Sequence, residues 1–401
     1  MEVTSSCVPQ QVTRSKTYQR AGCLLAIRKK SVCAFAYPMP LVALPCRVHP
    51  VSTMKFLLFA ALIACGDARA QNNTKWFDLN AEGIRLIQTG NAAAAEIKFR
   101  SALIEAEQFG EQDYRLAANL SNLALAREEQ SAYKDAEQLY RRVLELREKY
   151  LPPGSVEIAS ALNNLGGILH NMARDQEADP LLRRGLRIAE DAHDQNVIAA
   201  TLNTLGLVLA REGEPARAEP VMRRALALFE KIGGPDSLDA GKTLNNLAAL
   251  YVDQKEFVKA EDAERRAVPI YEKHLPAGHP LIGAVLNNMF VILGGQKRFD
   301  EGEPYLRQAL EIEERSAPGT VRTEQMRGNL AALEASRGDW QSAADLLERV
   351  IAAEERSLGP NHPTLATALA NYSEAMKHLN RKAEAKQAER RASAIMKSFR
   401  Q

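Results

Sequence analysis

Amide side chains recur at one position of this sequence, at intervals of 40 to 42 residues. The row consists of Ser121, Asn163, Asn203, Asn245 and Asn287, and its register continues through Gly328 and Ala370, which carry no amide. An amide both donates and accepts hydrogen bonds, which suits the backbone of an extended peptide without demanding one peptide sequence. The row therefore indicates peptide recognition. The alternative left open is that the same amides join neighbouring repeats, and this is favoured for the second asparagine of each pair (Asn164, Asn246 and Asn288).

His170 and Asn171 fall on the same helical face as Asn163, at 100° per residue. One histidine on such a face is typical of polar lining rather than of a catalyst. The sequence contains no H-E-x-x-H, G-x-S-x-G or G-x-x-x-x-G-K-[ST] motif. We therefore predict a protein without catalytic activity, metal or cofactor.

All five cysteines lie in the first 65 residues, so the remainder of the chain offers neither disulfides nor a thiolate nucleophile. Residues 1–70 contain nine Lys or Arg against two Asp or Glu, which leaves 43 against 48 in residues 71–401, a net charge of −5. A mildly acidic body gives no electrostatic reason to expect nucleic acid as a partner.

The elements that position the asparagines are amphipathic helices. Each unit has two apolar stretches with i, i+3, i+4 spacing, and segments such as "IGGPDS" and "LPAGHP" interrupt them. The residue before the central leucine repeats at Asn122, Asn164, Thr204, Asn246, Asn288, Asn329 and Asn371. A single helical hairpin cannot bury its apolar faces alone, so the hairpins must stack on one another.

The spacing of these small and large residues resembles the tetratricopeptide repeat: Leu162, Leu165, Gly166, Leu169, Ala178, Leu182 and Gly185. The longer unit, with "LNNL" in its first helix and "GHP" or "NHP" before it, is similar to the kinesin-light-chain type. The resemblance implies an all-α fold, a right-handed α-solenoid of about eight hairpins. The units lie near residues 76–110, 115–151, 157–192, 197–232, 239–274, 281–316, 322–357 and 364–399.

The resemblance also implies a site. In such proteins the first-helix face lines a concave groove that holds an extended peptide or a partner helix, with apolar pockets expected at Leu125, Leu207 and Val291. The Lys and Arg clamp by which chaperone-linked members bind a C-terminal carboxylate is not reproduced at the corresponding positions. The heptad coiled coil that precedes the repeats of kinesin light chains is also missing, which argues against a motor role.

Small residues after the central leucine, such as Gly166 and Gly206, indicate a close approach of the two helices, opposite the alanine of the second helix. One unit breaks this rule with Phe290 and carries Gly302 in place of the alanine. We predict that Phe290 packs over Gly302, a large residue compensated by a small one. Paired arginines such as Arg141-Arg142 follow an acid by four residues, which predicts a solvated, self-neutralised outer face.

Residues 54–70 have the order of a secretory signal peptide: Met54 and one lysine, an apolar run, then Ala68-Arg69-Ala70. Residues 1–53 show no structural period, and Met54 or a nearby start is the predicted initiator. Cleavage after Ala70 competes with a lipobox interpretation in which Cys65 is lipidated, the one route by which we expect membrane attachment. Either interpretation predicts export of residues 71–401 to a periplasmic or extracellular location.

The prediction that follows is an exported, non-catalytic scaffold that binds a protein or peptide partner in its concave groove. The alternative is a structural or assembly component that uses the convex face or the ends of the solenoid, including self-association. The two differ in which surface a mutation must disturb to abolish binding.

Overall fold

A computed structural model describes residues 68–316 and 320–399, and these residues form sixteen helices in paired hairpins with no strand among them. We number the hairpins as repeats 1 to 8. Their first helices are α1 (Ala68–Gln88), α3 (Tyr114–Glu129), α5 (Val156–Asn171), α7 (Gln195–Arg211), α9 (Leu238–Asp253), α11 (Pro280–Gly295), α13 (Val321–Ser336) and α15 (Pro363–His378). Their second helices are α2 (Ala92–Glu107), α4 (Tyr133–Tyr150), α6 (Asp175–Asp191), α8 (Pro215–Gly233), α10 (Phe257–His274), α12 (Phe299–Ser316), α14 (Trp340–Leu358) and α16 (Lys382–Phe399). The prediction of an all-helical α-solenoid is confirmed.

The turn inside each hairpin contains one residue with a left-handed backbone. These residues are Gly90, Ser131, Ala173, Gly213, Lys255, Lys297, Gly338 and Asn380, with φ between 58° and 81°. Such a residue ends a helix and lets the chain reverse at once, which explains the constant hairpin geometry. Only three of the eight turns contain glycine, so the turn is a property of the repeat rather than of one residue type.

Large side chains of the second helix fill the space that small residues of the first helix leave. A Cβ atom on Gly166 would lie 2.6 Å from Leu182 Cδ2, and one on Gly206 would lie 2.4 Å from Met222 Cγ. The glycines therefore face the residue one turn after the alanine, not the alanine itself as the sequence suggested. The two helices of a hairpin approach closely because only the second helix contributes a large side chain at this contact.

The sixth repeat departs from this arrangement, and the predicted contact of Phe290 with Gly302 is confirmed. Phe290 is 1% exposed and packs over Gly302, where an added Cβ would lie 2.9 Å from Phe290 Cδ2. The ring of Phe299 lies beside it, with 6.2 Å between centroids. Gly302, at the position of the repeated alanine, makes room for the ring of Phe290, while Leu306 keeps the large position of the second helix.

The second helices carry the ionic outer surface. The first arginine of each pair bonds the acid four residues before it, as in Arg141 with Glu137 at 2.8 Å and Arg183 with Asp179 at 2.8 Å. The second arginine reaches the preceding repeat instead: Arg184 contacts Glu148 at 2.5 Å. The predicted self-neutralisation is confirmed for these pairs, and the second set of contacts also joins successive repeats.

Repeats that are distant in sequence also meet. The turn of repeat 1 lies against the start of α11, where a Cβ on Gly90 would be 3.3 Å from Pro280 Cδ and 3.7 Å from His279 Nε2. His279 caps α11, since its Nδ1 accepts a hydrogen bond from the Leu281 amide at 3.1 Å. The solenoid therefore curves enough for repeats 1 and 6 to touch.

Over residues 68–316 and 320–399, no helix combines the length and apolar character needed to cross a membrane.

Candidate partner-binding surface

The first helices line the inner face of the solenoid. First helices of successive repeats contact one another, as α5 does with α7 and α7 with α9, whereas second helices of successive described repeats make no contact of that extent. Elements on the inside of a curved stack lie closer together than those on the outside. The helices that carry the asparagine row therefore lie on the inner side of the solenoid.

Asparagines of neighbouring repeats are hydrogen-bonded into a ladder on this face. The second asparagine of one repeat donates through Nδ2 to Oδ1 of the first asparagine of the repeat before it. The bonds run from Asn246 to Asn203 at 3.1 Å, from Asn288 to Asn245 at 2.8 Å and from Asn329 to Asn287 at 2.9 Å. The inter-repeat role predicted for Asn246 and Asn288 is confirmed, and their acceptors are three of the residues predicted to line the groove.

The ladder changes where the sequence departs from the asparagine pair. Repeat 4 has Thr204 in the second position, and its hydroxyl donates to the Ala200 carbonyl at 3.1 Å within its own helix. Asn163 consequently donates to Asn164 of its own repeat at 3.3 Å. Ser121 likewise bonds within its helix, to the Ala117 carbonyl at 2.9 Å. The inter-repeat bond needs an amide at both positions.

The row of predicted groove residues is buried. Asn163, Asn203, Asn245 and Asn287 are at most 1% exposed, and Ser121 is 4% exposed. Leu125, Leu207 and Val291, the predicted apolar pockets, are also buried. Ala370, in the register of the asparagines, is exposed, and Ala249, four residues after Asn245, is half-buried.

His170 belongs to a buried inter-repeat cluster. Its Nδ1 lies 2.6 Å from Asp175 Oδ1, and its Nε2 lies 2.9 Å from Arg211 Nη2 of the next repeat. Because a guanidinium can only donate, Nε2 is the accepting nitrogen and Nδ1 carries the proton. Burial lowers the pKa of His170, an effect partly offset by the hydrogen bond that Nδ1 donates to Asp175. Both ring nitrogens are engaged, an arrangement that serves packing rather than acid–base catalysis.

Asn171 also joins two repeats, since its Nδ2 donates to Glu128 Oε1 at 2.7 Å. The structure thus brings the predicted residues together along the inner face and its edge. Within the described residues no group of three or more His, Cys, Asp or Glu side chains is placed to hold a metal ion. Cys65, the predicted lipidation position, lies outside the described residues.

Charge is scarce on the central first helices. α11 contains no Asp, Glu, Lys or Arg, and α7 contains only Arg211, at its last position. The second helices carry the ion pairs described above. α7 and α11 therefore contribute almost no charge to the inner side of the solenoid and bury their amides, whereas α9 between them carries Asp239, Lys242 and Asp253.

One functional candidate escaped the sequence interpretation. Glu264 on α10 is completely buried, and neither of its carboxyl oxygens has a hydrogen-bond partner. A signal was present in the sequence, because Glu264 lies four residues after the repeated alanine, where earlier repeats have Leu182 and Met222.

Comparison with known proteins extends this description. A family model described as a tetratricopeptide repeat matches residues 114–191, 157–231, 197–273, 281–353 and 322–398. No curated protein matches the chain.

Solved structures share the fold at low sequence identity. A Rap protein complexed with Competence and Sporulation Factor is 12% identical, with a TM-score of 0.55 over 82% of this chain and 98% of that one. The apo form of the quorum sensor NprR from B. thuringiensis is 13% identical, with a TM-score of 0.57 over 83% of this chain and 89% of that one. BtubC (BKLC) from P. vanneervenii is 20% identical over 62% of this chain and 92% of its own, with a TM-score of 0.42.

Proposed function

Because this chain belongs to the tetratricopeptide repeat family, we propose that it is a non-catalytic scaffold that binds a protein or peptide partner along the inner face of its solenoid. The observation that carries the proposal is the low charge of α7 and α11, and a partner would contact the inner positions that stay accessible, because the asparagines themselves are buried in the inter-repeat ladder. The outer face has its charges already paired, as with Arg183 and Asp179, and offers a partner less.

The chemistry of the face indicates the class of partner. A surface with few charges gains little from charged ligands, whereas aliphatic side chains bury apolar residues of a partner. We therefore propose an uncharged or apolar segment in extended or helical form. Its binding should depend weakly on salt, because few ion pairs would be screened.

The structural neighbours support the proposal at the level of the fold alone. The Rap structure is a complex with a factor, so a solenoid of this fold accommodates a bound partner. We transfer only that capacity to this chain. The identity of the partner must come from experiment.

The experiment is affinity capture from the cell fraction in which the protein resides. Ala249→Arg and Ala370→Arg place bulk and charge on two first-helix positions that are not buried. Arg184→Ala removes an outer ion pair and is the matched control. We expect the wild-type chain and the control to capture the same partner, at low and high salt alike, and the two inner variants to lose it. Retention by both inner variants would contradict the proposal.

A second candidate rests on the first repeat. Ile97 and Ile104, seven residues apart on one face of α2, are 65% and 62% exposed, and Tyr114 nearby is 56% exposed. Exposed apolar clusters mark contact surfaces. A self-associating or assembly protein would use this end, and in that case Ile97→Glu with Ile104→Glu would lower the oligomer mass measured by light scattering.

We also propose that the protein is exported, on the strength of the signal-like residues 54–70, which lie outside the described residues except for 68–70. N-terminal mass spectrometry of the protein from its host tests this. A mature terminus at Gln71 would support peptidase cleavage, and a lipidated Cys65 would support anchoring. A terminus at Met1 in the bulk of the protein would contradict both.

A further inference from the structure

Glu264 occupies a core position that other repeats fill with large apolar side chains. The equivalent residues are Phe99, Tyr140, Leu182, Met222, Leu306 and Leu347, all of them buried. The eighth repeat has Glu389 there, but its side chain is 61% exposed because no further described repeat covers it. The side chain of Glu264 does not reach solvent and is 0% exposed.

Within the described residues, no cationic side chain forms an ion pair with Glu264. The neighbouring Arg265 and Arg266 bond Glu261 and Glu230, at 2.6 Å each. α11, which packs on α10, has no ionisable side chain from Pro280 to Gly295. On α9, Asp239 and Lys242 pair with each other at 3.1 Å, Tyr251 bonds Glu219 at 2.9 Å, and Asp253 lies at the C-terminal end.

Tyr271, one further titratable residue of α10, is itself fully buried. Burial raises the pKa of Glu264 to about 8, with only the Asn288 amide acting in the opposite direction. An isolated buried carboxylate is far more costly than a buried carboxylic acid, so the proton is retained.

The Asn288 amide is the polar group that interacts with Glu264, and it also offers an acceptor. Asn288 Oδ1 is buried without a hydrogen-bond partner, while its Nδ2 donates to Asn245 Oδ1 at 2.8 Å in the ladder. A protonated carboxyl has one O–H donor. Donation from Glu264 to Asn288 would satisfy two of the orphaned atoms at once.

We propose that Glu264 is held as a neutral carboxylic acid hydrogen-bonded to Asn288, and that its ionisation loosens the junction between repeats 5 and 6. The protonation state of Glu264 thus controls how often this junction, next to the asparagine ladder, opens. Loss of the proton to solvent leaves a bare carboxylate in the core, and opening of α10 from α11 lets water reach it. The junction is tightest in acid and opens more often as the pH rises.

The linkage sets the size of the effect. In the open junction Glu264 has its ordinary pKa, and in the closed junction its pKa is raised. Between these two pH values the closed junction therefore binds one more proton than the open junction. The opening equilibrium should then increase by up to about tenfold per pH unit between pH 5 and 7. Above the raised pKa both states have lost the proton, so the opening equilibrium no longer depends on pH.

Hydrogen exchange of the α10 and α11 amides in the full chain tests this, with intrinsic exchange rates divided out. The wild type should lose protection from pH 5 to 7 by up to about a hundredfold. Glu264→Gln, which stays neutral and can donate to Asn288, should show no such dependence. Glu389→Gln, the exposed counterpart, should behave as the wild type. A wild type whose protection is independent of pH, or a Glu264→Gln variant that retains the dependence, would overturn the switch.

A second measurement does not depend on a variant that folds. With carboxyl ¹³C-labelled glutamate, the signal of Glu264 should titrate in the folded wild type with a midpoint above pH 7. A midpoint near the ordinary glutamate value would show that the side chain ionises freely and would refute the proposal.

Discussion

Gly302→Ala in the sixth repeat should change the free energy of unfolding through two opposing effects, helix propensity and core packing. Helix propensity alone favours alanine over glycine by ~1 kcal/mol in a helix interior. The new Cβ, however, would lie 2.9 Å from Phe290 Cδ2 and 3.5 Å from Leu293 Cβ. Carbon atoms at van der Waals contact are about 3.5–4.0 Å apart, so the ring of Phe290 must move.

The ring has little room to move, because Phe290 is 1% exposed and Phe299 lies against it. Overpacking a filled core costs about 1–3 kcal/mol. The cost exceeds the gain in propensity, and we expect a net destabilisation of ~1 kcal/mol. The measurement is the free energy of unfolding from urea denaturation, followed by circular dichroism.

Phe290→Leu provides the matched background, since it removes the ring that the methyl group would meet. There Gly302→Ala should stabilise by ~0.5–1 kcal/mol, the propensity alone. Opposite signs in the two backgrounds would establish the contact. Stabilisation of the wild-type chain by Gly302→Ala, or the same change in both backgrounds, would refute the pairing.

Three further perturbations test other parts of the structure. Gly90→Val should raise hydrogen exchange at the start of α11, because its Cβ would be 3.3 Å from Pro280 Cδ, whereas Gly213→Val, with the same sign of φ and no atom within 4 Å, should leave α11 unchanged. Asn246→Ala should destabilise by about 1–3 kcal/mol in urea denaturation, since Asn203 Oδ1 loses its donor; no loss would show that the ladder is dispensable. Glu264→Leu should stabilise more at pH 8 than at pH 5, because a carboxyl with a raised pKa contributes most below its ordinary pKa and loses that contribution as pH rises to about 8. At each pH, urea denaturation gives the free energy of unfolding of the variant and of the wild type, and their difference removes the contributions of His170 and His279, which both proteins share. An equal gain at both pH values would contradict the prediction.

Much of the fold follows from the sequence because the repeat presents the same local pattern eight times. Residue size at fixed spacing can be read directly from the sequence. It predicts the period, the hairpins and the contact of Phe290 with Gly302. The ion pairs of the outer face follow for the same reason, since Glu137 and Arg141 lie one turn apart.

Contacts between repeats were harder to anticipate. The sequence places Asn203 and Asn246 in different units, and only their stacking shows that the second donates to the first. The meeting of Gly90 with Pro280 depends on curvature summed over five repeats, which no local pattern encodes. Glu264 was missed because its helix periodicity looks regular until its position is compared with its equivalents.

Recognition on the inner face is the central claim, and site-specific photo-crosslinking in the native host tests it most directly. A photoreactive amino acid at Ala249 or Ala370 reports on the inner face, and one at Arg184 or Arg224 reports on the outer face. We expect one partner to be crosslinked from both inner positions and from neither outer position. Crosslinks from the outer positions alone would contradict the claim and place recognition on the convex surface.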